Sequence, residues 1–257
     1  MRLTRGAAYM LALPLLLVLI WWASTLGEKN FYVPTPALLG QTFVETWFGP
    51  RILSDVLPSI GRLLIGVTLA IVLGVAGGLL IGSVRWLRAL TEPVLEFFRA
   101  IPPPVLVPVF MLLLGITDTM KVVVIVSGCV WPVLLNTIEG VRAVDSVLSD
   151  SARTYGVSGW ARIRYLVLPS AGPQVMTGIR QCLSIGLILM VISEMFASSS
   201  GLGYTIVAFQ RSFAIPEMWS GIVVLGLIGI AMSFIFQWAE RRILRWYNGL
   251  REVENAV

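Results

Sequence analysis

Apolar residues gather along this chain in long charge-free runs, at 7–26, 63–84, 100–117, 122–138 and 218–239. A sixth run, 165–193, is interrupted only by Arg180. A helix needs roughly 20 mostly apolar residues to cross the hydrocarbon core of a bilayer. The pattern therefore predicts an all-α membrane protein with six transmembrane helices in a single domain. Their expected positions are about 7–26, 61–84, 93–116, 121–140, 173–197 and 218–240. Arg2 and Arg5 precede the first run, as in a cleaved signal peptide, but that run is too long for an h-region of about 7–15 residues. It also closes on Trp21-Trp22, an interfacial anchor, so a retained helix is the better reading.

Between the spans, residues 30–58 are too polar to cross. Thr35 followed by Pro36 is a helix start, a capping hydroxyl and then a proline at the first helical position. It predicts a surface helix at about 36–48 that serves as a linker. In the second span Gly74, Gly78 and Gly82 recur every four residues, a spacing that lets two helices approach closely in lipid. Pro102-Pro103-Pro104 and Pro108 open the third span and predict a kinked helix beside a translocation route. Glu194 is the most deeply embedded acid. Intramembrane carboxylates are functional candidates by default, yet the interface is near and Gly201-Leu202-Gly203 follows as a turn. Pairing within the bundle or capping the loop is favoured slightly over contact with a solute. Pro102, Pro103, Asn136, Ser184 and Glu194 are the candidate residues of a translocation route.

Composition agrees with lipid as the solvent, since 57% of the residues are hydrophobic and 13% charged. Soluble domains carry about 25% charged residues. The net charge of +5 does not point to nucleic acid, because the basic residues sit between apolar runs and form no stripe with aromatics. They report orientation instead. With the N-terminus inside, fourteen Lys and Arg fall on the cytoplasmic side and five, Lys29, Arg51, Arg62, Lys121 and Arg211, on the other. Both termini are then cytoplasmic. The chain has no histidine, and Cys129 and Cys182 lie inside apolar runs as small hydrophobes, so no metal site is expected. A P-loop needs Gly-Lys-Ser/Thr, but Lys29 and Lys121 follow Glu28 and Met120. The chain is not an ATPase by that route, and no cofactor of its own is expected.

The longest cytoplasmic polar stretch is 145–169. It reads as two short amphipathic helices, the first capped by Asp145 and ended by Gly156, the second capped by Ser158. Val147, Leu148, Ala152 and Tyr155 form one apolar side; Trp160, Ile163 and Leu166 form the other. Pro169 and Pro173 are expected to break the chain before it re-enters the membrane. Lipid headgroups alone could hold such a stretch. Its spacing adds more. Asp150-Ser151-Ala152, then Gly156, then Leu166-Val167-Leu168-Pro169 resembles the "EAA" loop of binding-protein-dependent ABC importer permeases, E-A-A-x3-G-x9-I-x-L-P. Asp150, Ser151 and Leu166 depart from it, each conservatively.

The resemblance covers about 33–246. Pro34-Thr35-Pro36, Arg99-Ala100-Ile101-Pro102-Pro103, Asn136-Thr137 with Gly140-Val141, Gly178-Ile179-Arg180, Glu194-Met195 and Gly201-Leu202-Gly203 are similar to the nitrate/sulfonate/taurine/bicarbonate class. It implies a type I importer fold in a bacterial inner membrane. It further implies a second copy of this chain, two cytoplasmic ATPase subunits holding ATP and Mg, and an external substrate-binding protein. The implied coupling residues are Asp150, Ser151, Ala152, Gly156, Trp160, Leu166, Leu168 and Pro169. An ion-coupled carrier is the second reading, weakened by the absence of a clear internal repeat or a mid-span acid. A membrane enzyme is the third, with no residues to assemble its chemistry.

Overall fold

In a computed structural model the chain is described over residues 2–27, 31–196, 198–247 and 249, with side-chain surroundings from residue 12 onward. Lys29, Ala197 and Arg251 lie outside the described residues. In chain order the helices are α1 (Arg2–Ser24), α2 (Pro36–Trp47), α3 (Leu57–Ser83), α4 (Arg85–Ala100), α5 (Val107–Leu114) and α6 (Asp118–Arg142). They continue with α7 (Ser146–Thr154), α8 (Gly159–Arg162), α9 (Leu168–Phe196), α10 (Leu202–Arg211) and α11 (Ile215–Ile243). No strand occurs among the described residues.

Among the described residues, four helical runs are long and apolar enough to cross alone: Ile52–Ser83, α6, Gly159–Phe196 and α11. A bent pair, α4 with Pro103–Leu114, makes a fifth if its two halves form one span. The first expected span falls on α1, of which Ala12–Ser24 is a shorter apolar helix and is not among these runs.

The third span differs from the single kinked helix expected at 93–116. Its two halves meet at 83°. Ile101 and Pro102 are both extended, with ψ 119, because a residue before proline is pushed out of the helical region. Three successive prolines also remove three backbone donors. Residues 93–100 consequently belong to α4, an amphipathic helix with no buried residue. Trp86, Leu90, Val94 and Phe97 stand exposed along one side of it.

Pro169 and Pro173, expected to break the chain, do not: both lie within α9. Ile52–Val56 and Ile163–Val167 are single π turns, and each is followed by Leu and then Pro, at Pro58 and Pro169. A proline ring inside an α-helix clashes with the carbonyl four residues back. The wider turn relieves that clash, and the amides of Leu57 and Leu168 instead donate five residues back, to Ile52 and Ile163. Gly159–Phe196 is thus one run of 38 residues.

Two compact units divide the chain: Met1–Pro58 with Ser199–Leu227, and Ser59–Ser198 with Ile228–Val257. In the first, Thr35 accepts from the Leu38 amide at 3.2 Å and so caps α2, with Pro36 at its start as the sequence predicts. However, α2 is more than a linker. Trp47 is only 2% exposed and its indole donates to Ser220 at 2.8 Å, pinning α2 to the start of α11. Gly201 holds φ 111, but Leu202 and Gly203, expected in a turn, are buried in the first turn of α10.

The second unit is organised by glycines. A Cβ on Gly66, Gly74, Gly78 or Gly82 would fall 2.5–2.9 Å from side-chain atoms of Ile125, Val133, Thr137 and Val141 respectively. In each pair the α6 residue stands 59 positions after its glycine, so α3 and α6 run parallel in a fixed register. The predicted small-residue ladder closes on a helix of the same chain. Against α9 the order reverses: Gly140 meets Ala171, Gly178 meets the Pro132 carbonyl, and Gly128 meets Leu189. Antiparallel α6 and α9 therefore form a hairpin, closed at one end by α7 and α8. Cys129 and Cys182 are buried in its seam, the Cys129 thiol donating to the Cys182 carbonyl at 3.3 Å.

Candidate functional site

The segment that closes the α6–α9 hairpin is built by local rules. The Asp145 carboxylate accepts from the Leu148 amide at 3.0 Å and starts α7. Gly156 ends it with φ 73, and two backbone bonds complete the turn: Val157 to Ala152 at 2.8 Å and Gly156 to Arg153 at 3.0 Å. This is the left-handed glycine stop that helix ends favour. Ser158 occupies the cap position of α8 with extended backbone, but its side chain makes no capping bond. Gly159 beside it has φ 55, so the chain turns sharply at that point. Arg162 reaches back to the Ser149 hydroxyl at 2.9 Å and ties α8 to α7.

This turn presents aromatic side chains among exposed polar and basic ones. Neither α7 nor α8 has a buried residue. Tyr155 is 85% exposed, Trp160 72% and Tyr165 71%, with Val147 and Leu148 also outside. Asp150 and Ser151 are exposed beside them, while Ala152, Leu166 and Pro169 are half-buried and Leu168 is partly exposed. Single exposed apolar residues are ordinary, but a cluster of aromatics on a well-capped turn marks an interaction surface.

The candidate route residues do not share one place. Pro103 packs where α6 carries Gly128, and Pro102 precedes it in extended backbone. Asn136 donates to the Pro132 carbonyl at 2.8 Å beside Gly178. Ser184 lines a cavity of about 200 Å³ between α9 and α11, with Arg180, Ser233 and Gln237. Arg180 there is paired with Glu240 and lies over the Phe236 ring. Glu194 stands ten residues beyond Ser184 on α9, about 15 Å along the helix.

Glu194 belongs to a charge network that charge counting did not reveal. It is fully buried, and its carboxylate accepts from Arg62 at 2.6 Å and from the Ser59 hydroxyl at 2.8 Å on each oxygen. Arg62 also donates to Asp118 at 2.9 Å, and Asp118 accepts from Lys121 at 3.1 Å. Arg62 and Lys121 are both buried. The sequence marks them only as charges near span ends; their partners lie 56 and 132 positions from Arg62. The network joins α3, α6 and α9 at one end of the bundle. Among the described residues, no group of three or more His, Cys, Asp or Glu side chains could hold a metal.

Comparisons with known proteins agree with this architecture. Residues 66–248 match the family model described as binding-protein-dependent transport system inner membrane component. The chain is 30% identical over 240 residues to the putative aliphatic sulfonates transport permease protein SsuC of Bacillus subtilis, covering 93% of this chain and 87% of that one. It is 25% identical over 239 residues to the taurine transport system permease protein TauC of Escherichia coli, covering 90% and 86%. Among solved structures it resembles the inward-facing MetNI methionine ABC transporter at TM-score 0.63 and 17% identity, over 74% of this chain and 94% of that one. This chain belongs to the family of binding-protein-dependent transport system inner membrane components. It is an integral membrane permease of the ABC importer type, with the type I helical fold.

Proposed function

We propose that this chain is the permease subunit of an ATP-driven importer that takes up a small solute of the sulfonate or taurine kind. Two copies form the membrane pore in a bacterial inner membrane, with both termini cytoplasmic. Each copy seats one cytoplasmic ATPase, which holds ATP and Mg, on the segment 145–169, and an external binding protein delivers the solute. Closure of the ATPases drives the two segments together and reorients the pore between outward and inward access.

The observation that carries this reading is the exposed aromatic cluster of Tyr155, Trp160 and Tyr165 on a turn fixed by Asp145, Gly156 and the Arg162–Ser149 bond. Exposed aromatics on a braced turn suit a partner more than solvent. Spacing from Asp150 to Pro169 supports an ATPase as that partner, and the fourteen-to-five bias of basic residues supports its side. The names of the relatives support the solute class.

Co-reconstitution of the permease with its ATPase and binding protein in liposomes tests the proposal. Uptake of taurine or an alkanesulfonate should require ATP inside the ATPase-accessible compartment and survive a protonophore. Uptake that ignores ATP and collapses with the protonophore would establish an ion-coupled carrier instead.

A further inference from the structure

Where α3 and α6 end, the second unit encloses a groove of about 600 Å³ lined by Arg85, Arg88, Arg142 and Arg162, with Ser149 and no acidic residue. Arg142 is offset by Glu139 of its own helix at 2.7 Å, and Arg162 donates to the Ser149 hydroxyl. Among the described residues, Arg85 and Arg88 meet no carboxylate. Arg85, Arg88 and Arg162, sharing one concavity with no carboxylate partner among the described residues, repel each other unless an anion sits among them.

The start of α4 adds to this demand. Its cap residue, Val84, offers no side-chain bond to the first amides, and no acid occupies the first turn. A helix N-terminus carries unpaired amides and a partial positive charge that favour an anion. Here two arginines stand in that first turn instead, which is the unfavourable arrangement for an empty site.

We infer that this groove seats the phosphate of an anionic phospholipid headgroup. Guanidinium forks match phosphate oxygens in pairs. In the orientation proposed above, on which the inference rests, the groove lies at the cytoplasmic ends of two spanning helices, where basic pockets between helices collect acidic lipid. The apolar row of α4, Trp86, Leu90, Val94 and Phe97, starts at the same place and is exposed along its length. It offers the acyl chains a surface continuous with the headgroup site. Because Arg162 and Ser149 belong to the segment that closes the hairpin, a bound headgroup also braces that segment against α3 and α4.

Native mass spectrometry of the permease–ATPase complex in a neutral maltoside detergent tests the inference, with dioleoylphosphatidylglycerol, dioleoylphosphatidylcholine and inorganic phosphate as probes. One phosphatidylglycerol should be retained per permease chain, at least tenfold more tightly than phosphatidylcholine. R85Q and R88Q should each weaken it about fivefold, as expected for one arginine near an anionic surface. R241Q, on the same side but lining another pocket, should leave it unchanged. Equal retention of the two lipids, or unaltered phosphatidylglycerol binding in both single variants, overturns the proposal. So does saturation of the site by inorganic phosphate with loss of the lipid, which assigns it to a free anion. Lipid binding seen only without the ATPase subunit assigns the groove to that protein and likewise overturns it. The single variants are read alongside melting temperature, so a folding defect is recognised by a shift that R85K or R88K restores.

Discussion

Arg62 of α3 and Glu194 of α9 lie 132 positions apart and meet at 2.6 Å, both almost wholly removed from solvent. Removing one member of a buried pair leaves an uncompensated charge, at a cost of about 3–5 kcal/mol. Glu194→Ala should therefore lower the melting temperature of the purified protein sharply. The double variant R62M/E194M, which removes both charges, should recover most of the loss. A double variant as unstable as the single one would show that the pair is not what Glu194 contributes.

Gly78 is the tightest point of the α3–α6 register, where a Cβ would sit 2.5 Å from the Thr137 Cβ and 2.8 Å from the Leu134 carbonyl oxygen. Backbone cannot yield as a side-chain tip can. Gly78→Ala should cost about 1–3 kcal/mol. Gly61→Ala on the same helix, with nothing within 4 Å, should be neutral or gain up to about 1 kcal/mol. Thermal unfolding of the two variants side by side checks the contrast.

Gly156 has open space around it, so a side chain there is resisted by backbone alone. With φ at 73, Gly156→Val should store about 1–3 kcal/mol of strain and distort the turn. Transport should fall while the permease still folds and inserts. Gly156→Asn, better tolerated in the left-handed region, should retain much of the transport. Equal uptake by the valine variant and the parent would remove this turn from the coupling proposal.

Trp160 contributes little to folding, being 72% exposed. Under the proposed function it is an anchor for the ATPase. Trp160→Ala should weaken ATPase association by about 2 kcal/mol, roughly thirtyfold, with an unchanged melting temperature. Co-purification yield and surface-immobilised binding measure this directly.

The spans and the start and stop of α7 are legible in the sequence because they rest on local signals. Apolar run length, an Asp at a cap and a Gly at a stop act within a few residues. The ion network is not legible, since Arg62, Asp118 and Glu194 find one another only through the packing of three helices. Proline misleads for a related reason: Pro169 looks like a break, and becomes a continuation once a π turn precedes it. Helix α10 also escapes notice, because two glycines sit at its head and its ten residues are too few for a spanning pattern. Its signal is the spacing of Leu202, Ile206 and Phe209, one face of a short helix.

The unbroken run from Gly159 to Phe196 has a mechanical consequence. At 1.5 Å per residue its 38 residues form a rod about 57 Å long. Trp160 stands at one tip and Glu194, locked to Arg62, at the other. The widened turn and Pro173 both lie near the Trp160 tip, leaving the remainder a regular stiff shaft. Under the proposed function, load applied at the Trp160 tip would reach the charged latch around Glu194 along one continuous helical run.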